Sequence, residues 1–202
     1  MDVRYPSNES SKPLAPEKKL LKRDLEAILS KAKAASRRDW TFFMVAAQTG
    51  LRLCEVLHLR AEDMDGDGLV ITRRKRRKPF REIASFPDQV MKLLSEWSKS
   101  QKIERGFLFE GNSNPCFLRG AKICGGGHVS RRDIQRRWTG YVKGAGIYKR
   151  GRGIHCLRHY FCTEAYRQTK DLKFVKDMVG HSSITVTDRY AHTVDLREEL
   201  KS

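Results

Sequence analysis

Apolar positions recur three and four residues apart from residue 21 onward: Leu21, Leu25, Ile28, Leu29 and Ala32 share one side of a helical projection, with lysines and arginines opposite. A second stripe, Trp40, Phe43, Met44 and Ala47, predicts a helix over about 40–48. Gly50 interrupts the pattern, and Leu53, Val56 and Leu57 restart it over 51–59. The period then changes. Asp65-Gly66-Asp67-Gly68 is a turn signal, 69–72 reads as a strand and 82–86 as its partner, so a small antiparallel hairpin is expected. Helical spacing returns after Pro87 with Val90, Leu93, Leu94 and Trp97. A short apolar strand follows at 107–109, then a Gly- and Asn-rich loop over 112–127. Ser130, with Asp133 three residues on, fits an acidic capping box that opens a helix to about Gly144. Two more helices are expected over 155–168 and 172–179. Gly180 stops the second, and Ser183 can cap a short helix carrying Tyr190. The reading is an α+β fold, mainly α-helical with a small antiparallel β-sheet.

A chain of 202 residues holds one domain with a real core, or one domain and a small appendage, and 39% hydrophobic content is enough to fold it. Charge changes the picture more. Forty-one Lys and Arg against 24 Asp and Glu leave +17, which points to a polyanion. Nucleic acid ranks first as partner, an acidic membrane surface second and the ribosome third. No stretch approaches the roughly 18–20 apolar residues of a membrane span, and the polar N-terminus lacks a signal core, so an intracellular protein outside the membrane is expected. Residues 1–16, with Pro6, Pro13 and Pro16 among polar residues, read as a flexible arm. The five cysteines have no CxxC spacing, which argues against a disulfide framework and a zinc site. His155 and His159 share a helical face, but no acidic or thiol partner at ligand spacing completes a set, and no metal is expected.

Chemistry concentrates in separated stretches. Arg52 follows Gly50-Leu51 in apolar surroundings, where an unpaired guanidinium would cost several kcal/mol, so it should meet an anion. Glu55, three residues on, could supply that anion as a plain helix salt bridge. His155 and Arg158 project from one face near a helix N-terminus, where backbone N–H groups also favour an anion. Gly180-His181 precedes Tyr190 by nine residues, and a tyrosine there is otherwise ordinary core packing. Between the first two stretches, residues 73–81 hold seven basic residues in nine.

Taken together, Thr49-Gly50-Leu51-Arg52-Leu53-Cys54-Glu55, His155-Cys156-Leu157-Arg158-His159, and Gly180-His181 with Tyr190 resemble the tyrosine recombinase (integrase) family, in the family's order and across about 20–190. The resemblance implies a catalytic-domain fold over 17–202, with a C-terminal tail from 191. It implies that Arg52 and Arg158 clamp a scissile phosphate, that Glu55 holds Arg52, and that His181 donates to a phosphate oxygen. Forked guanidiniums suit that clamp because each can meet two oxygens. Tyr190 would be the nucleophile and His155 its base, while His159 would support the fold. The general acid for the leaving 5′-oxygen is assigned to Lys75, with Lys78 as runner-up. Arg73, Arg74, Arg76, Arg77 and Lys78 on the hairpin, and Arg131, Arg132, Arg136 and Arg137 on the later helix, are expected to grip the DNA backbone.

The implied activity is site-specific cleavage and rejoining of double-stranded DNA through a 3′-phosphotyrosyl link, giving integration, excision or inversion without metal, ATP or other cofactor. The implied partners are duplex DNA, further copies of the chain in a tetramer on synapsed DNA, and accessory DNA-bending proteins. The separate core-binding domain of many members is not expected here; the chain is either a catalytic fragment or a short member. Three other readings stay open. A type IB topoisomerase shares the chemistry, a non-catalytic DNA-binding module shares the fold, and a basic RNA-binding protein accounts for the charge alone.

Overall fold

The computed structural model describes residues 14–15, 18–66, 68–75, 78–112, 115–118, 121–124, 126–181 and 183–198. Helix α1 (Lys22–Ala35) buries Leu25, Ile28, Leu29 and Ala32, the stripe its sequence predicts. Ser36 then ends one helix and caps the next, its Oγ accepting the Asp39 N–H of α2 (Arg37–Thr49) at 3.3 Å. The burial of α2 is wider than one stripe. Phe42, Val45 and Ala46 are buried along with Phe43 and Ala47, because α1, α4 (Asp88–Gln101) and α6 (Cys156–Thr169) all pack on this helix. Trp40 and Met44, expected in the core, are only partly buried against it.

Gly50 ends α2 with φ +63°, the left-handed conformation glycine adopts without strain. A Cβ here would stand 2.3 Å from the Phe161 ring. Helix α3 (Leu53–Leu57) follows at once, with Arg52 as its cap residue. The chain then builds a three-stranded antiparallel sheet in the order β1 (Met64–Asp65), β2 (Gly68–Lys75), β3 (Lys78–Ser85). Pairing of Gly68 with Ser85 through Lys75 with Lys78 makes the hairpin longer than the two short strands expected.

Two expectations need correction beyond the sheet. Residues 107–109 are buried but do not make a strand: Phe107 pairs with Arg60 in an isolated bridge, and the Val129 N–H donates to the Phe109 carbonyl at 2.8 Å. The loop expected over 112–127 contains a second hairpin, β4 (Cys116–Leu118) and β5 (Ala121–Cys124), whose glycines lie beside the strands and masked the pattern. Helix α5 (Arg131–Gly144) starts where Ser130 Oγ accepts the Asp133 N–H at 3.0 Å, and it buries Ile134, Trp138 and Val142.

Helices α6, α7 (Leu172–Val179) and α8 (Ile184–Glu198) pack on one another. Helix α8 continues well past Tyr190, where a tail was expected from 191. Most of the arm expected over 1–16 lies outside the described residues. Its end is held: Leu14 is buried with Cys162, Val175, Val179 and Tyr190, and its N–H reaches Thr193 Oγ1 at 3.4 Å. Among the described residues no helix is long and apolar enough to cross a membrane.

Candidate active site

The turn from α2 into α3 aims Arg52 out of the core, and Glu55 fixes it there. Glu55 is buried; its Oε2 accepts the Arg52 backbone N–H at 2.7 Å and its Oε1 accepts from Arg52 Nη1 at 2.9 Å. Arg52 Nη2 reaches the Gly180 carbonyl at 3.3 Å, which links α3 to the end of α7. From the first turn of α6, Arg158 donates to the Gly50 carbonyl at 2.6 Å and the Val179 carbonyl at 2.8 Å. Burial, and next the charge of Arg52, lower the Arg158 pKa from its ordinary value. Two guanidiniums drawn this close, one of them desolvated, favour an incoming anion.

Arg52 and His181 line a cleft of about 130 Å³ together with Arg73, Phe80, Lys176 and Gly180. Gly180 has φ +65° and turns the chain off α7. His181 Nδ1 is 3.0 Å from Thr187 Oγ1. When the Thr187 hydroxyl donates to Nδ1, the Nε2–H is left as donor. Burial, then Arg158 and Arg52, push the His181 pKa down to about 3, so the ring is neutral at pH 7.

Tyr190 stands apart from that cleft. It is 1% exposed, its ring stacks on His181 at 6.3 Å between centroids, and its hydroxyl lies 2.9 Å from His159 Nδ1. The Cys162 thiol also hydrogen-bonds the phenol. Burial, then Cys162, raises the Tyr190 pKa above the ordinary phenol value, against the pull of Arg158 and Arg189. His159 is pushed down to about 3, first by burial and then by His155, so its ring is neutral at pH 7. His155 is exposed, and its ring meets the His159 ring edge-on at 4.8 Å. The histidine beside the phenol is therefore His159, for which only a supporting role was expected, and not His155. Cys162 escaped the sequence reading although it lies three residues from His159, one turn along the same helix.

The depressed histidines carry a pH prediction. A histidine whose folded pKa is below its unfolded value near 6.5 contributes stability that is complete above about pH 6.5 and lost as pH falls toward the folded value. His159 and His181, both near 3, should thus make the melting temperature fall progressively between pH 6.5 and 3. A thermal melt that stays flat across that window would contradict their burial as neutral rings.

The expected DNA-gripping residues separate into groups. Arg131 and Arg132 are exposed. Arg136 and Arg137 donate to Asp133 at 2.7 and 2.8 Å, and Arg137 also reaches buried Asp39 at 3.3 Å, so both are already paired. Asp39 further accepts the Tyr141 hydroxyl at 2.8 Å, and burial, then that contact, pushes the Tyr141 pKa up to about 12. Arg73 is a correction: it is 4% exposed and bonded inside the protein, because its strand crosses the end of α7. Lys75 and Lys78 are paired across the hairpin, while Arg76, Arg77 and the side chains of Arg74, Lys75 and Lys78 lie outside the described residues.

A helical core with a small antiparallel sheet, and a histidine-flanked tyrosine beside paired arginines, define the catalytic-domain fold of the tyrosine recombinases. The solved XerA recombinase superposes with a TM-score of 0.70 at 23% identity, covering 100% of this chain and 66% of that one. A lambda integrase tetramer bound to a Holliday junction superposes with a TM-score of 0.65 at 17% identity, covering 85% of this chain and 47% of that one. By sequence, the tyrosine recombinase XerC of Thermodesulfovibrio yellowstonii is 27% identical over 174 residues. That match takes in 85% of this chain and 55% of the relative, so the chain spans little more than half the length of such proteins. The phage integrase family model matches residues 18–197, and the chain belongs to that family.

Proposed function

We propose that the protein is a site-specific DNA recombinase that cuts and rejoins duplex DNA through a 3′-phosphotyrosyl intermediate. The observation that carries this reading is the convergence of Arg52 and Arg158 on the carbonyls at the end of α7, next to His181, whose ring stacks on Tyr190. Arg52 and Arg158 hold the non-bridging oxygens, and neutral His181 donates through Nε2. The same guanidiniums also donate to the Gly180, Gly50 and Val179 carbonyls.

Tyr190 Oη then attacks phosphorus, the P–O5′ bond breaks, and the phenol proton passes to His155, the exposed histidine at the start of α6. Lys75 protonates the departing 5′-oxygen, and a 5′-hydroxyl later reverses the step by attacking the phosphotyrosine. The energy of the broken bond stays in the new one, so rejoining requires no external energy source. Attack also requires Tyr190 to leave its buried seat. The partner is double-stranded DNA, held by a tetramer of this chain; the solved lambda integrase tetramer on a Holliday junction supports that assembly.

Incubation with a nicked suicide duplex carrying candidate sites tests the reading. A covalent protein–DNA band is expected, and transfer to a second duplex separates recombination from topoisomerase-like relaxation. A protein that binds duplex and forms no adduct on any site would leave only a DNA-binding module of this fold.

Salt dependence tests the surface. Each phosphate contact adds about −0.9 to the log–log slope of affinity against salt, and such contacts do not read bases. Neutralising Arg131 and Arg132 should flatten that slope, whereas neutralising Arg136 and Arg137 should flatten it less, because Asp133 and Asp39 already offset them. Equal effects from the two pairs would show that the ion pairs open on DNA.

A further inference from the structure

Arg73 takes no step in the chemistry above, yet it joins two parts that the chemistry needs. Its Nε donates to Glu82 Oε1 at 2.6 Å on the neighbouring strand. Its Nη1 donates to the Val179 carbonyl and its Nη2 to the Met178 carbonyl, each at 3.0 Å, and Nη1 lies 3.5 Å from Glu55 Oε2. The guanidinium also lies against the turn that leads to His181, 3.2 Å from where a Cβ on Gly180 would sit. A Cβ there would press on the guanidinium, and the left-handed backbone, φ +65°, favours glycine as well.

We propose that Arg73 is a positioning residue, which locks the strand bearing Lys75 to the helix end bearing His181. The inference rests on the reading of Lys75 as the general acid. Lys75 is two residues further along β2, about 6–7 Å at the rise of a strand. Anchoring the strand at Arg73 therefore fixes where the backbone of Lys75 starts from. The anchor uses what only a forked, permanently charged donor supplies: two adjacent carbonyls at the negative end of α7 and carboxylates on two sides. Glu55 belongs to both systems, since it holds Arg52 as well as facing Arg73. The phosphate clamp, the acid-bearing hairpin and the His181 turn thus share one buried junction. A lysine at 73 keeps the charge and loses the fork.

A merely structural arginine would affect cleavage of every substrate alike. A positioning role for the acid predicts something narrower. When O5′ is the leaving atom it must take a proton from Lys75 to depart as a hydroxyl; a 5′-bridging sulfur departs as a thiolate and needs none. The experiment measures cleavage of suicide duplexes containing either atom by Arg73→Lys, Arg73→Gln and Lys75→Ala proteins, with melting curves alongside. Arg73→Lys retains the buried charge and carries the test if Arg73→Gln does not fold. The Arg73 variants should cleave the oxygen substrate on the order of 100-fold more slowly, as expected for misplacement of a catalytic group by about 1 Å. On the sulfur substrate they should return close to the native rate, with Lys75→Ala doing the same. Rescue of Lys75→Ala without rescue of Arg73→Lys overturns the coupling alone, as does native cleavage of the oxygen substrate by both Arg73 variants. Failure to rescue Lys75→Ala overturns the assignment of the acid, and the coupling falls with it.

Discussion

Tyr190→Phe is expected to abolish covalent attachment to DNA while the protein still folds and binds duplex. The substitution removes one oxygen from a ring that is otherwise packed by Leu14, Cys162, Val175 and Val179, so the cavity walls keep their contacts. Its cost comes from His159, whose Nδ1 loses its phenol partner at 2.9 Å inside a buried pocket. Leaving one such buried polar atom unpaired costs about 1–3 kcal/mol, which lowers the melting temperature without unfolding the domain. A denaturing gel of the suicide-substrate reaction reads the chemistry, and a mobility shift reads binding. An adduct that persists in Tyr190→Phe and maps to Tyr160 or Tyr166 would move the nucleophile onto α6.

The second large effect is expected from the arginines, and the two should not behave alike. Removing one preorganised donor to a developing charge typically slows the chemical step on the order of 100- to 1000-fold. Arg52→Ala should do this with modest change in stability, because its side chain is one-third exposed and its partner Glu55 retains the Arg52 backbone N–H and Arg73. Arg158→Ala should lose cleavage to a similar degree and also destabilise the fold, since the Gly50 carbonyl loses the Arg158 donor in a buried place while Val179 keeps Arg73. Single-turnover cleavage at saturating DNA, set beside thermal melts, separates these outcomes. Near-native cleavage by folded Arg52→Ala would assign that arginine to the architecture.

Helical periodicity made most of this fold legible. Stripes such as Leu25, Ile28, Leu29 and Ala32 follow from one helix face meeting one neighbour, and the structure reproduces them. Periodicity failed where that premise fails: α2 is covered by several helices, and β4 and β5 are too short for alternation to stand out beside glycines. At the site, local spacing brought Arg52 to Glu55 and set His155 and Arg158 on one helix end. It could not distinguish His155 from His159 as neighbour of Tyr190, because that choice depends on how α6 rotates against α8. Nor could it foresee Arg73. A run of basic residues looks uniformly solvated in sequence, and only the crossing of β2 over the end of α7, more than a hundred positions later, takes one member out of water.

The tight corner between α2 and α3 has a consequence for how this sequence can drift. A replacement at position 50 meets two separate obstacles, a left-handed backbone and the Phe161 ring in the space of the new Cβ. Asparagine tolerates the first better than most residues but still collides with the ring. Trimming Phe161 removes the collision and leaves the backbone strain for any other newcomer. A substitution at 50 should therefore cost less in a protein whose residue 161 is already small, so the two positions are coupled although neither lines the cleft.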